Sequence, residues 1–105
     1  MHSRVTLFEI DTVRFDLDVA VARFDELVLP DLRDQPGYAG VYVLANRDGK
    51  GLVMTLWDSE ADADQQLRTG FYAAQVEKFV TFFSSPPGRE SYEIVLADAP
   101  AFAPD

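Results

Sequence analysis

Residues 38–57 read YAGVYVLANRDGKGLVMTLW, and the fold turns on how this stretch divides. Tyr38 to Asn46 and Leu52 to Trp57 are β-rich runs separated by Arg47-Asp48-Gly49-Lys50-Gly51. Asp-Gly accepts the positive φ of a tight turn, so the runs are predicted to pair as an antiparallel hairpin. Side chains alternate across a strand. That sets Val41, Val43 and Ala45 against Tyr42 and Leu44, and Leu52, Met54 and Leu56 against Val53, Thr55 and Trp57. Both faces of the hairpin are mainly apolar. A sheet with one wet face alternates apolar with polar instead, so cover is predicted on both sides.

Upstream, Arg4 to Asp11 (RVTLFEID) reads as a first strand. Asp16 or Asp18 is placed to cap a helix whose stripe is Leu17, Ala20, Val21, Phe24, Leu27, Val28 and Leu32. Pro30 falls inside the stripe and removes a backbone hydrogen bond, so a kink or restart is predicted near Leu29. Asp34-Gln35-Pro36-Gly37 is a stop signal. Downstream, a second helical region starts after Ser59, with Asp62 as its capping-box acid. Gly70 is predicted to break or bend it before the stripe Tyr72, Val76, Phe79, Val80 and Phe83. Ser84 to Gly88 is a loop, Tyr92 to Ala97 (YEIVLA) a final strand, and Asp98 to Asp105 a loose tail.

The order β-α-β-β-α-β with right-handed crossovers implies an α+β, ferredoxin-like domain. Both helices then lie on one face of a four-stranded antiparallel sheet of order 4-1-3-2. The 105 residues make one domain, with a core over about residues 4–98. Strands one and four repeat the hairpin's pattern, with Val5, Leu7 and Glu9 against Thr6, Phe8 and Ile10, and Tyr92, Ile94 and Leu96 against Glu93, Val95 and Ala97. Two helices cover one face only. A bare second face would exceed the roughly 300–600 Å² largest apolar patch of a typical monomer. At about 25 cal/mol per Å², covering several hundred Å² on each subunit is worth roughly 10 kcal/mol before association costs. A homodimer through the sheet faces is the expectation. The alternative is a tail folded back over the sheet, for which Phe102 is the sole large apolar residue.

Eighteen acids against nine Lys and Arg give a net charge of −9, which opposes nucleic acid or an anionic membrane surface as partner. With no cysteine, disulfides, thiolate catalysis and iron–sulfur clusters are excluded. The one histidine, His2, is expected in a frayed terminus, which removes histidine triads and multi-histidine metal sites. No secretory h-region or membrane-length apolar run occurs, so the chain reads as soluble and cytoplasmic. No phosphate-binding glycine motif is present.

Leu29-Pro30-Asp31-Leu32-Arg33-Asp34-Gln35-Pro36-Gly37-Tyr38-Ala39-Gly40 resembles the passage from helix one into strand two of the antibiotic biosynthesis monooxygenase-like family of dimeric α+β barrels. Trp57-Asp58-Ser59-Glu60-Ala61 resembles that family's Trp at the end of strand three and its acidic helix start. The resemblance spans roughly residues 4–98. It implies a dimeric barrel with Trp57 lining a pocket between sheet and helices. Activities in the family include cofactor-free monooxygenation of polycyclic phenols, haem degradation and small-molecule isomerisation. Where many relatives carry histidines on the second helical region, this chain has Gln66 and Phe71. Strand one offers Thr6, Leu7 and Phe8 in place of the Asn of haem degraders, so no haem and no other cofactor is expected.

Trp57 shares a face with Val53 and Thr55, and Tyr72, Phe24 and Phe79 can meet it from the helices. This makes either an aromatic cavity for a planar apolar ligand, with the Trp57 N–H and Tyr72 O–H as polar contacts, or a packed core. Tyr42 and Phe8 fit either reading. Glu9 and Glu93 are the acids in mid-strand; adjacent strands would bring them together as a general base, and otherwise they are solvated at a rim or paired with Arg14 or Arg89. Asp58, Glu60, Asp62 and Asp64 lack EF-hand spacing and suit a helix start, so no metal is expected. Three functions remain open. One is a cofactor-independent monooxygenase or isomerase that holds an acidic phenol or anthrone with Trp57, Tyr72, Phe24 and Gln66. The others are a non-catalytic binding barrel and a pure dimerisation unit. A cavity of roughly 300 Å³ beside Trp57 would favour the first two, a filled interior the third.

Overall fold

The computed structural model describes residues 1–98. It runs β1 (His2–Glu9), α1 (Leu17–Leu27), α2 (Leu29–Arg33), β2 (Tyr38–Ala45), β3 (Lys50–Trp57), α3 (Glu60–Arg68), α4 (Phe71–Glu77), a 3₁₀ turn (Val80–Phe82) and β4 (Gly88–Glu93). The sheet order is β2-β3-β1-β4 with every neighbouring pair antiparallel. That is the expected order 4-1-3-2 counted from the other edge.

Local chemistry accounts for the element ends. The Asp16 carboxylate accepts from the Asp18 N–H and opens α1. Val28 closes α1, and Pro30 sits in the first turn of α2, where its missing N–H costs nothing. At α3 the Ser59 hydroxyl accepts from the Asp62 N–H at 3.1 Å, the capping contact read from the sequence. Gly70 takes φ +80° and separates α3 from α4. Gly49, at φ +92°, turns the β2–β3 hairpin, where the Asn46 carboxamide also accepts from the Asp48 and Lys50 N–H groups.

Several boundaries differ from expectation. β4 lies over Gly88–Glu93, not Tyr92–Ala97, because β1 dictates its register: Leu7 pairs Gly88 and His2 pairs Glu93. By Ile94, whose N–H reaches the Met1 carbonyl, β1 has run out, and Val95 and Leu96 are left exposed. His2 is not frayed. It is buried in a central strand, paired between Trp57 and Glu93, with its ring hydrogen-bonded to the Ser91 hydroxyl. Glu9 pairs with Lys50 and Glu93 with His2, so the two glutamates sit at opposite ends of β1 and form no base pair. The second helical region ends at Glu77, and Val80 falls on an exposed 3₁₀ turn rather than on a buried stripe. Leu27 and Val21 are also more exposed than a core stripe requires. The tail with Pro100, Phe102 and Pro104 lies outside the described residues.

The helices cover one sheet face. On the other, Leu7, Tyr42, Leu44 and Tyr92 are between 41% and 50% exposed, with Met54 and Leu56 among them only partly covered. Among the described residues no helix is long and apolar enough to cross a membrane.

Candidate functional site

Beneath the helices the core is two clusters rather than one. Val28, Leu32, Trp57, Ala63 and Phe79 form the first, and Ile10, Leu17 and Ala20 the second. Members of both line a single cavity between sheet and helices. The strands contribute Thr6, Phe8, Val43, Val53, Thr55 and Trp57 to its wall. The room inside for the centre of a water molecule is about 110 Å³. That is less than the roughly 300 Å³ of a full ligand pocket, and comparable to the roughly 150 Å³ apolar cavity that takes up benzene. The interior is neither filled nor, as it stands, large enough for a fused polycycle.

All six residues singled out from the sequence, Trp57, Tyr72, Phe24, Phe79, Gln66 and Phe71, come to this wall. Phe8 joins them, whereas Tyr42 projects from the bare face. Trp57 is 2% exposed, at the end of β3, with the Tyr38 ring edge-on at 5.9 Å. Its N–H is not offered to the cavity but donates to the Thr55 hydroxyl at 2.9 Å. Thr55 in turn donates to the Arg4 carbonyl at 3.3 Å. The Tyr72 hydroxyl shares a 2.8 Å hydrogen bond with Thr6, and the Arg89 guanidinium lies 5.5 Å above the Tyr72 ring. Two polar groups expected to meet a ligand are therefore already engaged within the protein. Burial pushes the Tyr38 phenol up from its ordinary pKa, with the Arg33 charge opposing.

Gln66 is 4% exposed and half satisfied. Its Nε2 donates to the Asp62 carbonyl one helical turn back, which fixes the amide orientation, since a flip would set oxygen against oxygen. Its Oε1 has no hydrogen-bond partner among the described residues. A bare buried acceptor costs about 1–3 kcal/mol. Arg4, which sequence reasoning passed over, is 7% exposed and also lines the cavity. It stands on the same face of β1 as Thr6 and Phe8, and that alternation was the available signal. Its Nη2 donates to Asp64 Oδ1 on α3 at 3.3 Å.

Among the described residues, the cavity wall carries no carboxylate, no imidazole and no thiol. Haem fits this donor set poorly, since the Tyr72 phenol is committed to Thr6 and the space suits one ring, not a macrocycle. Among the described residues no group of three or more potential metal ligands occurs, and Glu60 and Asp62 occupy the first turn of α3.

No family model matches the sequence, and no curated protein matches it. Solved structures do. A protein of unknown function from Nitrosomonas europaea is 24% identical over 96% of this chain and 95% of that one, with a TM-score of 0.71. The heme-degrader MhuD from Mycobacterium tuberculosis, solved with two hemes bound in its active site, is 16% identical over 94% and 100%, also with a TM-score of 0.71. SnoaB, a cofactor-independent oxygenase from Streptomyces nogalater, is 10% identical over 91% and 94%, with a TM-score of 0.70. An antibiotic biosynthesis monooxygenase is also among the matches. The expected likeness to the antibiotic biosynthesis monooxygenase-like proteins thus holds at the level of fold.

Proposed function

We propose that this chain, with the fold of the antibiotic biosynthesis monooxygenase-like proteins, is a small-molecule-binding protein acting as a homodimer. Residues 4–98 form one domain, and two copies close a dimeric α+β barrel by covering each other's bare sheet faces. One observation carries the binding reading: an apolar cavity persists between two core clusters where close packing would normally leave none. Trp57, Phe24, Phe79, Phe71 and the Tyr72 ring supply flat apolar walls, and Gln66, whose Oε1 is unpaired among the described residues, supplies polarity. The ligand is a small apolar or aromatic molecule. Its catalytic form is a cofactor-independent monooxygenase or an isomerase, in which the protein desolvates and orients a substrate that is itself acidic. The acidic chain and the lack of a membrane-length helix among the described residues support a cytoplasmic setting without nucleic acid or membrane as partner.

A second, non-catalytic reading has its own support. Among the described residues the wall holds no general base, and the Trp57 N–H and the Tyr72 hydroxyl are occupied internally. Trp57 is the sole tryptophan, so its fluorescence reports occupancy directly. Titration with one- to three-ring phenols is expected to perturb it, with the one-ring members favoured by the available space. Failure of every member to do so removes the binding reading. Oxygen uptake by the complex separates the oxygenase from the passive binder.

A further inference from the structure

We propose that Arg4 anchors an anionic oxygen of the ligand, so that the cavity takes a carboxylate-bearing molecule with an apolar body about one ring in size. The inference rests on the reading of the cavity as a ligand site and names the chemistry that site selects.

A buried guanidinium needs compensation, and Arg4 has little. Of its five N–H donors, one is used among the described residues, in a single 3.3 Å bond to Asp64. That bond is long for a charge-assisted pair, and it lacks the two-pronged geometry in which guanidinium and carboxylate fit best. The two partners are also unequally placed. The Arg4 side chain is 8% exposed and reaches little water, whereas that of Asp64 is 41% exposed and has ample water. An incoming carboxylate therefore takes over the guanidinium while Asp64 is released to solvent at small cost. The apolar remainder of such a molecule meets Phe8 and Trp57, which share the cavity wall with Arg4. A guanidinium has no acceptor atom, so a neutral hydroxyl gains less from it than an anion does. The overall charge of −9 does not overrule this local preference, because distant surface charges are screened over roughly 8 Å at physiological salt.

The test compares benzoate with methyl benzoate, its uncharged counterpart, at neutral pH. Binding is read from the indole N–H resonance of Trp57 in ¹⁵N-labelled protein. Benzoate is expected to bind at least about tenfold more tightly, the ratio that one charge-assisted hydrogen bond supports. Arg4→Gln should abolish that preference, and Arg4→Lys should keep part of it. Asp64→Ala should tighten benzoate binding about threefold or more, since Asp64 competes for the same donors; a purely structural Arg4–Asp64 pair predicts no gain. If Arg4→Gln does not fold, Asp64→Ala decides, and unchanged or weaker benzoate binding overturns the proposal. Equal affinity for the two probes, or binding of methyl benzoate alone, overturns the anchor and leaves the cavity reading standing. Binding of neither overturns both.

Discussion

Replacing Trp57 by Phe separates an internal role for its indole N–H from a role as hydrogen-bond donor to the ligand. The substitution removes the N–H that donates to Thr55 at 2.9 Å, and it leaves one ring where a fused pair stood, in a site 2% exposed. Loss of the hydrogen bond costs about 1 kcal/mol net. Thr55 still donates to the Arg4 carbonyl, so no donor is stranded and the cost goes no higher. Lost burial and the space left behind add about 1–2 kcal/mol. The sum is about 2–3 kcal/mol, or a fall in Tm of roughly 10–20 °C for a domain of this size. Urea and thermal unfolding followed by far-UV circular dichroism, at matched protein concentration, measure it. Calorimetric affinity for the best phenol of the panel should change less than about twofold, because the indole N–H is already spent inside the protein and a phenyl ring keeps the wall flat and apolar. A stability loss below about 0.5 kcal/mol together with a tenfold loss of affinity would refute the reasoning and make the Trp57 N–H a donor to the ligand.

Other perturbations probe other parts of the structure. Gly37 adopts φ +78°, and a Cβ there would overlap the Asp62 side chain at the start of α3; Gly37→Ala should cost about 2–3 kcal/mol in urea unfolding, where a neutral effect would deny that close approach. Met54 pairs with Val5 and Tyr42 in the middle of the bare face. By symmetry Met54→Lys acts twice in a sheet-to-sheet dimer, and it should weaken association by about a hundredfold or more in sedimentation equilibrium while leaving the monomer folded. The buried Tyr38 phenol titrates above its ordinary value, with desolvation the larger cause and Arg33 opposing. The folded state therefore holds this proton more tightly than the unfolded chain does, so the stability it contributes is intact below about pH 10 and is lost as pH rises through the folded pKa. Tyr38→Phe should flatten the decline of Tm above pH 10, and an unchanged decline would locate it elsewhere.

Much of the fold could be read from residues whose chemistry is local. Asp48-Gly49 turns the hairpin, Pro30 interrupts the first helix, and Ser59 with Asp62 opens α3; each is decided within a few positions of itself. Sequence and structure part where a distant partner decides. YEIVLA is the better strand sequence, yet GRESYE became β4, because the 3₁₀ turn and the Ile10–Phe83 bridge deliver the chain to β1 at that register. His2 looked terminal but is held on both sides by β3 and β4. At the site, the aromatic wall was legible because Trp57, Tyr72, Phe24 and Phe79 repeat at strand and helix spacing. The bond from Trp57 to Thr55 and the pairing of Arg4 with Asp64 were not, since side-chain direction and an ion pair spanning sixty positions leave no periodic trace.

The sheet face that carries Leu7, Tyr42, Leu44 and Tyr92 decides between a barrel and a lone subunit. Light scattering at micromolar concentration measures whether a second copy covers it. A solution mass of twice the chain is expected, falling to one chain in Met54→Lys. A wild-type mass of a single chain, with the protein folded and soluble, would contradict the barrel and the function proposed from it.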